Sequence, residues 1–271
     1  MHVAPQTQAT PGARRRYRLA IAAAALLLFA VSLLWGLNLP HHEGPDELRH
    51  INSVARLADD RGWPLPYEAP MLASVRVAQA ENGRPPIEGQ SARPQVDPVD
   101  RSIFIGEVDA SDRGLDNMVQ HPPGYYAIAA FAVKAAEIAG LRWDQASIAL
   151  RALSAALVAG SVPFIIGAVR WATGRRLIGV LGGVGVLAVP AFTVLGGYVS
   201  NDTLLVLACS ATLYYLFRAL RDPDAGEWVL PMAGLAYGLA LFTKGIALML
   251  GPTLAILVLI AAWRRSGSVL G

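Results

Sequence analysis

The sequence predicts an all-α polytopic membrane protein of about six transmembrane helices, with juxtamembrane helices in a long first outer loop. Three observations lead there. Of 271 residues, 54% are hydrophobic and 16% charged, with a mean hydropathy of +0.41, whereas soluble domains carry about 25% charged residues. The charges fall in short intervals between apolar runs. Residues 19–40, 152–169, 177–201, 203–217, 228–243 and 245–263 each lack Asp, Glu, Lys and Arg, and a helix crosses the hydrocarbon core in about 20 residues, the shorter runs borrowing flanking positions.

Composition also excludes function classes. One cysteine, Cys209, rules out an intramolecular disulfide framework and a multi-cysteine zinc site. A net charge of +3 is too small an excess to point to nucleic acid as a partner. The first run follows Arg14, Arg15, Arg16 and Arg18, as a signal peptide would. It is too long for an h-region and lacks a small-x-small cleavage site, so it reads as a retained helix behind an irregular tail.

The distribution of arginine sets the expected topology. Residues 41 to about 121 are polar and proline-rich and must lie outside the bilayer. They end in a 12-residue apolar segment, 122–133, a length that suits an interfacial helix better than a span. If this segment stays out, Arg14 to Arg18, Arg170, Arg175, Arg176, Arg218, Arg221, Arg264 and Arg265 share one side, against Arg142, Arg151 and Lys244 on the other. If it crosses, the basic residues from Arg170 onward move outside, against the positive-inside bias. The expected organisation is a cytoplasmic tail (1–16), a first transmembrane helix (17–40), an extracytoplasmic loop (41–145), a five-helix bundle (146–265) and a cytoplasmic tail (266–271). The protein would be integral to the plasma membrane, with both termini cytoplasmic.

This topology brings the conspicuous polar residues to one face. Asp46 and Glu47 follow the first span and His121 precedes the juxtamembrane segment. Arg151 opens the second span, Asn201 and Asp202 cap the fourth, and Lys244 ends the fifth. Ionisable groups near a membrane core are costly unless paired or functional. In HHEGPDELRH (41–50), Asp46 and Glu47 fit the positively polarised first turn of a helix opened by Pro45. They equally suit a general base at the membrane surface. Asp46 and His50 stand at i and i+4 on one helical face, able to share a divalent metal with Glu43 or His41. ELRH is only half of a zincin motif. In QHPPGYY (120–126), Tyr125 and Tyr126 fit an aromatic belt, while His121 could meet a phosphate or an acceptor. Arg151 suits either a salt bridge to Asp144 or Glu137 or a phosphate. Lys244 suits either snorkelling or a phosphate, and Ser200, Asn201 and Asp202 form an N-cap sequence.

In order and sidedness, PDELRH (45–50), HPPGYY (121–126), LRALSAALVAG (150–160), GRR (174–176), YVSNDTLL (198–205) and LFTKG (241–245) resemble the N-terminal half of the GT-C superfamily of membrane glycosyltransferases. That group includes the protein O-mannosyltransferases and aminoarabinose transferases. The resemblance implies a hexosyl or pentosyl transferase that moves a sugar from a polyprenyl-phosphate donor to an acceptor hydroxyl on lipid, protein or glycan, with inversion. It implies a catalytic base at Asp46 or Glu47, Asp46 being preferred. It implies donor-phosphate contacts at His121, Arg151 and Lys244, with His50, Tyr125, Asn201 and Asp202 in the pocket. Because a monophosphate leaves, a divalent metal is optional. Family members generally have more spans than this chain, so the alternative expectation is a non-catalytic or truncated subunit that binds a lipid-linked glycan with a second subunit. A transporter is disfavoured, because no charge lies near a span midpoint and no broken helices repeat in two halves.

Overall fold

In a computed structural model, residues 10–83, 93–103, 115–222 and 224–266 are described, and they fold as helices. Pro223 and parts of the expected tails, residues 1–9 and 267–271, lie outside the described residues. The helix α1 (Pro11–Asn38) starts earlier than the sequence suggests. Thr10 Oγ1 accepts the Ala13 N–H at 3.3 Å and Pro11 occupies the first helical position, where no N–H is needed, so the arginines 14 to 18 are helical. The chain leaves α1 at Leu39 and Pro40.

The next long helix, α5 (Trp143–Thr173), likewise begins before its apolar run and ends on Gly174 at φ 74°, the left-handed stop that favours glycine. The third apolar run is broken. It forms α6 (Arg176–Gly185), a 3-10 turn (Val186–Ala188) and α7 (Pro190–Leu195), because Pro190 cannot donate back into a continuing helix. The fourth run is α8 (Asp202–Arg221). The fifth is α9 (Val229–Leu241), and the sixth is a 3-10 turn (Gly245–Leu250) leading into α10 (Gly251–Ser266). Four segments are long and apolar enough to cross a membrane: Pro11–Asn38, Trp143–Thr173, Asp202–Arg221 and Gly245–Trp263. The other two runs of the expected six make the shorter helices Arg176–Ala188 and Val229–Leu241.

Successive segments run in opposite directions, as contacts at their ends establish. Gly36 lies against Gly197, Lys244 meets Asp202, Arg221 reaches the carbonyl of Ala172, and Arg170 lies over Tyr17. The bundle therefore has an arginine-rich end and a loop end. Leu28 of α1 packs on Val158, Val162 and Ile166 of α5 in the membrane-level core.

The loop forms a helical layer on the other end, built from α2 (Glu47–Ala58), α3 (Ala73–Glu81) and α4 (Gly124–Ile138). Ile51, Val54, Met71, Leu72, Val75, Tyr125, Tyr126, Val133 and Trp143 share its core with Val199 and Leu204. A buried carboxylate ties the layer together. Asp116 accepts from Asn52 Nδ2 at 2.8 Å, Ser53 Oγ at 2.6 Å and the Met118 N–H at 2.8 Å, while Asn52 Oδ1 takes the Leu72 N–H. The 15-residue α4 packs on α2 as an amphipathic element and leaves Phe131 and Ile138 exposed on its outer side. It is not among the segments with the dimensions of a span.

At the junction of α1 with the turn after α7, a Cβ on Gly36 would stand 2.7 Å from the Gly197 carbonyl oxygen. Backbone cannot swing aside, so Gly36→Ala is expected to lower stability by about 1–3 kcal/mol. Gly234→Ala, in α9 with no atom within 4 Å of the new Cβ, is expected to be neutral or stabilising by up to about 1 kcal/mol. Thermal melting in one detergent compares the two.

Candidate functional site

The start of α2 is anchored by a buried ion pair. Arg151, in the third turn of α5, faces Glu47 with Nε to Oε1 at 2.8 Å and Nη2 to Oε2 at 2.6 Å. Its remaining N–H groups go to the carbonyls of Gly36 and Leu39, at 2.6 and 2.7 Å, and of Pro40 at 2.9 Å. All five donors are thereby engaged, three of the contacts being to the open C-terminal carbonyls where α1 ends. Glu47 also accepts the N–H of Val199 at 3.1 Å and of Gly44 at 3.3 Å. Neither side chain is exposed.

This arrangement corrects two expectations for Arg151. It does not open a span, since α5 starts eight residues earlier, and it pairs with neither Asp144 nor Glu137. Asp144 is held by Arg101 and Arg142, and Glu137 by Lys134. With every donor engaged, Arg151 in this conformation offers none to a phosphate.

Asp46 and Glu47 point apart. Asp46 has the left-handed backbone of φ 54°, makes no side-chain cap, and holds its carboxylate at the surface 2.9 Å from Arg49 Nη1. His50 turns inward, its Nδ1 2.9 Å from the Tyr126 hydroxyl and its ring stacked on that of Tyr126. The two side chains therefore point apart, that of Asp46 to the surface and that of His50 into the core, although the His50 N–H bonds to the Asp46 carbonyl at 3.0 Å. The set with Glu43 or His41 does not fit a metal. Among the described residues, no three of His, Cys, Asp and Glu converge for one.

The HPPG turn docks on the turn after α9. Gly124 donates its N–H to the Phe242 carbonyl at 2.9 Å, and a Cβ on Gly124 would stand 2.5 Å from that oxygen. This contact brings His121 towards Lys244, which bridges to Asp202 Oδ1 at 2.7 Å. The charges of Lys244, Asp202 and Asp46 all act on the His121 imidazole, whose pKa is lowered mainly by burial and then by Lys244. Asp46 and the Asp202–Lys244 bridge both act electrostatically on His121 at the loop end, while the cavity that Asp46 lines with His42, Arg49 and Gln79 includes neither His121 nor Lys244. Asn201 reaches the Thr243 carbonyl at 3.5 Å while its buried Oδ1 has no partner among the described residues. It does not cap α8. The Asp202 N–H goes to Ser200 Oγ instead, at 3.2 Å.

Tyr125 and Tyr126 form no aromatic belt. Both rings are fully buried, Tyr125 with its hydroxyl 3.4 Å from Ser154 Oγ and Tyr126 between His50 and Trp63. The sequence reading missed Trp63, whose Nε1 donates to the His121 carbonyl at 3.2 Å, and Asp116, which holds α2 in place. Neither carries a local pattern. Arg49, three residues from Asp46, could have been found by its helical spacing.

Breaking the buried pair is expected to be costly. Arg151→Met would strand the Glu47 carboxylate and should lower stability by about 3–5 kcal/mol, with partial recovery in Arg151→Met/Glu47→Leu, read by thermal melting. A pH dependence follows from the buried histidines. Burial pushes His50 down to about 3 and His42 down to about 4, so both are neutral when folded and take up protons on unfolding below about pH 6.5. Stability is complete above that pH and falls as pH drops towards the folded values, by about 1 kcal/mol per histidine at pH 5.5. His50→Gln is expected to flatten the profile of melting temperature against pH.

Residues 138–271 match the family model of dolichyl-phosphate-mannose-protein mannosyltransferase. No curated protein and no solved structure matches the chain. The match begins at the end of α4 and takes in Arg151, Asn201, Asp202 and Lys244, while Asp46 and His121 lie in the loop before it. Over its C-terminal portion the chain is thus similar to that mannosyltransferase family, and its described residues supply four helices of membrane-spanning length.

Proposed function

We propose that the chain transfers a sugar from a polyprenyl-phosphate donor to an acceptor hydroxyl at the loop end of the bundle, with inversion at the anomeric carbon. The observation that supports this reading is that a surface carboxylate, Asp46, and the Asp202–Lys244 bridge both act electrostatically on His121 at the loop end. Asp46 serves as general base. Its pair with Arg49 is about half exposed on both sides, a kind of contact worth little, so an acceptor hydroxyl can replace the guanidinium. The acceptor oxygen bonds to the anomeric carbon, the bond from that carbon to the phosphate oxygen breaks, Asp46 keeps the proton and the lipid phosphate leaves. Lys244 and His121 receive the developing phosphate charge, Lys244 as a point charge released from Asp202 and His121 as a neutral N–H donor.

Glu47 and Arg151 act as positioning residues that fix the entry to α2. The His50–Tyr126 pair backs the site as a neutral wall, and the unpartnered Asn201 Oδ1 is an acceptor for a sugar hydroxyl. By the positive-inside bias the arginine-rich end faces the cytoplasm, placing both termini there and the reaction on the outer face of the plasma membrane.

The test uses the full chain reconstituted with dolichyl-phosphate mannose, following lipid binding and mannose release. Asp46→Asn should lower turnover at least about 100-fold while donor affinity stays within about twofold. Lys244→Met should weaken donor binding by about tenfold. Unchanged turnover in Asp46→Asn removes Asp46 from the chemistry. Tight donor binding by the unaltered chain without any turnover would instead favour a binding subunit.

A further inference from the structure

At the opposite end of the bundle lies a cavity of about 530 Å³ that the proposed transfer does not use. Helix α1 contributes Arg14, Tyr17 and Arg18, α5 contributes Arg170 and Trp171, and α6 contributes Arg176, while Phe164, Tyr214 and Tyr215 line its inner wall. None of its lining residues is acidic. Among the described residues, no ion pair neutralises any of the four guanidiniums. The buried Nε of Arg170 has no hydrogen-bond partner among them.

Two of the cations lie over aromatic rings instead. Arg170 lies 4.9 Å from the Trp171 ring and 5.7 Å from Tyr17, and Arg176 lies 5.8 Å from Tyr17. Such stacking fixes the guanidinium planes while leaving N–H edges for an oxyanion. Four arginines converging on a concave space, without a carboxylate between them, repel one another unless an anion sits among them.

We infer that this cavity is an anion site that takes the phosphate headgroup of an acidic phospholipid from the leaflet at the arginine-rich end. Its depth decides between a lipid and a soluble phosphate. Arg14 and Arg18 sit within the first three turns of α1, Arg176 opens α6 and Arg170 lies in the last turn of α5, the level at which a helix of this length meets headgroups. Behind them Ile21, Pro163 and Phe164 continue the cavity into apolar surface that suits an acyl chain. Basic pockets between membrane helices on the side of positive excess have this chemistry. The site is separate from the transfer locus, since Arg170 lies 19 residues beyond Arg151 on the same helix, about 28 Å.

The experiment places the full chain in nanodiscs of phosphatidylcholine with graded phosphatidylglycerol and reads bound lipid by native mass spectrometry after release. The unaltered chain is expected to retain phosphatidylglycerol over phosphatidylcholine by at least about tenfold. Arg18→Gln/Arg176→Gln should cut that preference at least about fivefold, whereas Arg15→Gln/Arg16→Gln should change it less than about twofold. The second pair alters net charge equally, and neither residue lines the cavity. Melting of both variants in pure phosphatidylcholine confirms that they are folded. Equal losses in the two pairs would reduce the effect to general surface charge and overturn the assignment. So would the absence of a preference in the unaltered chain. Displacement of the lipid by millimolar glycerol phosphate alone would assign the cavity to a soluble phosphate and overturn the lipid reading.

Discussion

A guanidinium two turns inside a membrane helix has no water to fall back on, so each of its N–H groups must find an oxygen or the helix must shift. Arg151 finds five, two on Glu47 and three on the carbonyls where α1 gives way to the loop. Those carbonyls had lost their helical partners at Pro40, and the Glu47 carboxylate would be unstable in the interior without its cation. Each group resolves a cost carried by another. Because the pair joins α1, α2, α5 and the strand of chain at Val199, the position of Asp46, one residue before Glu47, follows from it.

Much of the architecture was legible because membrane helices are written in composition. Charge-free runs located the six apolar segments, and the 12-residue run at 122–133 forms part of α4, which packs on α2 and is not among the segments of membrane-spanning length. Helix ends were less legible. The sequence placed Arg151 at a mouth because charge was taken to mark a boundary, whereas a paired charge is tolerated within the helix. The break at Pro190 was hidden because apolar composition does not distinguish one helix from two shorter ones.

At the site, Lys244 pairs with Asp202 and Glu47 with Arg151, and such partners were not readable. The pairs Glu47 with Arg151 and His50 with Tyr126 are separated by 104 and 76 residues, and no local pattern encodes a contact across such a distance. The aromatic belt reading failed for a related reason. Tyr125 and Tyr126 have the composition of interfacial residues, and only the placement of α2, Trp63 and Ser154 around them shows that protein rather than lipid covers their rings. The two ends of the bundle then differ in kind. At the loop end opposite charges neutralise one another, while at the arginine-rich end like charges are parted by aromatic rings.

The unequal segments have a mechanical consequence for the surrounding lipid. Helix α1 has 28 residues and α9 has 13, or about 42 Å against about 20 Å of rise. A hydrocarbon layer as thick as the first is long would exceed the second, so beside α9, whose far end is the threonine-lysine-glycine turn, either the bilayer thins or the flanking turns enter it.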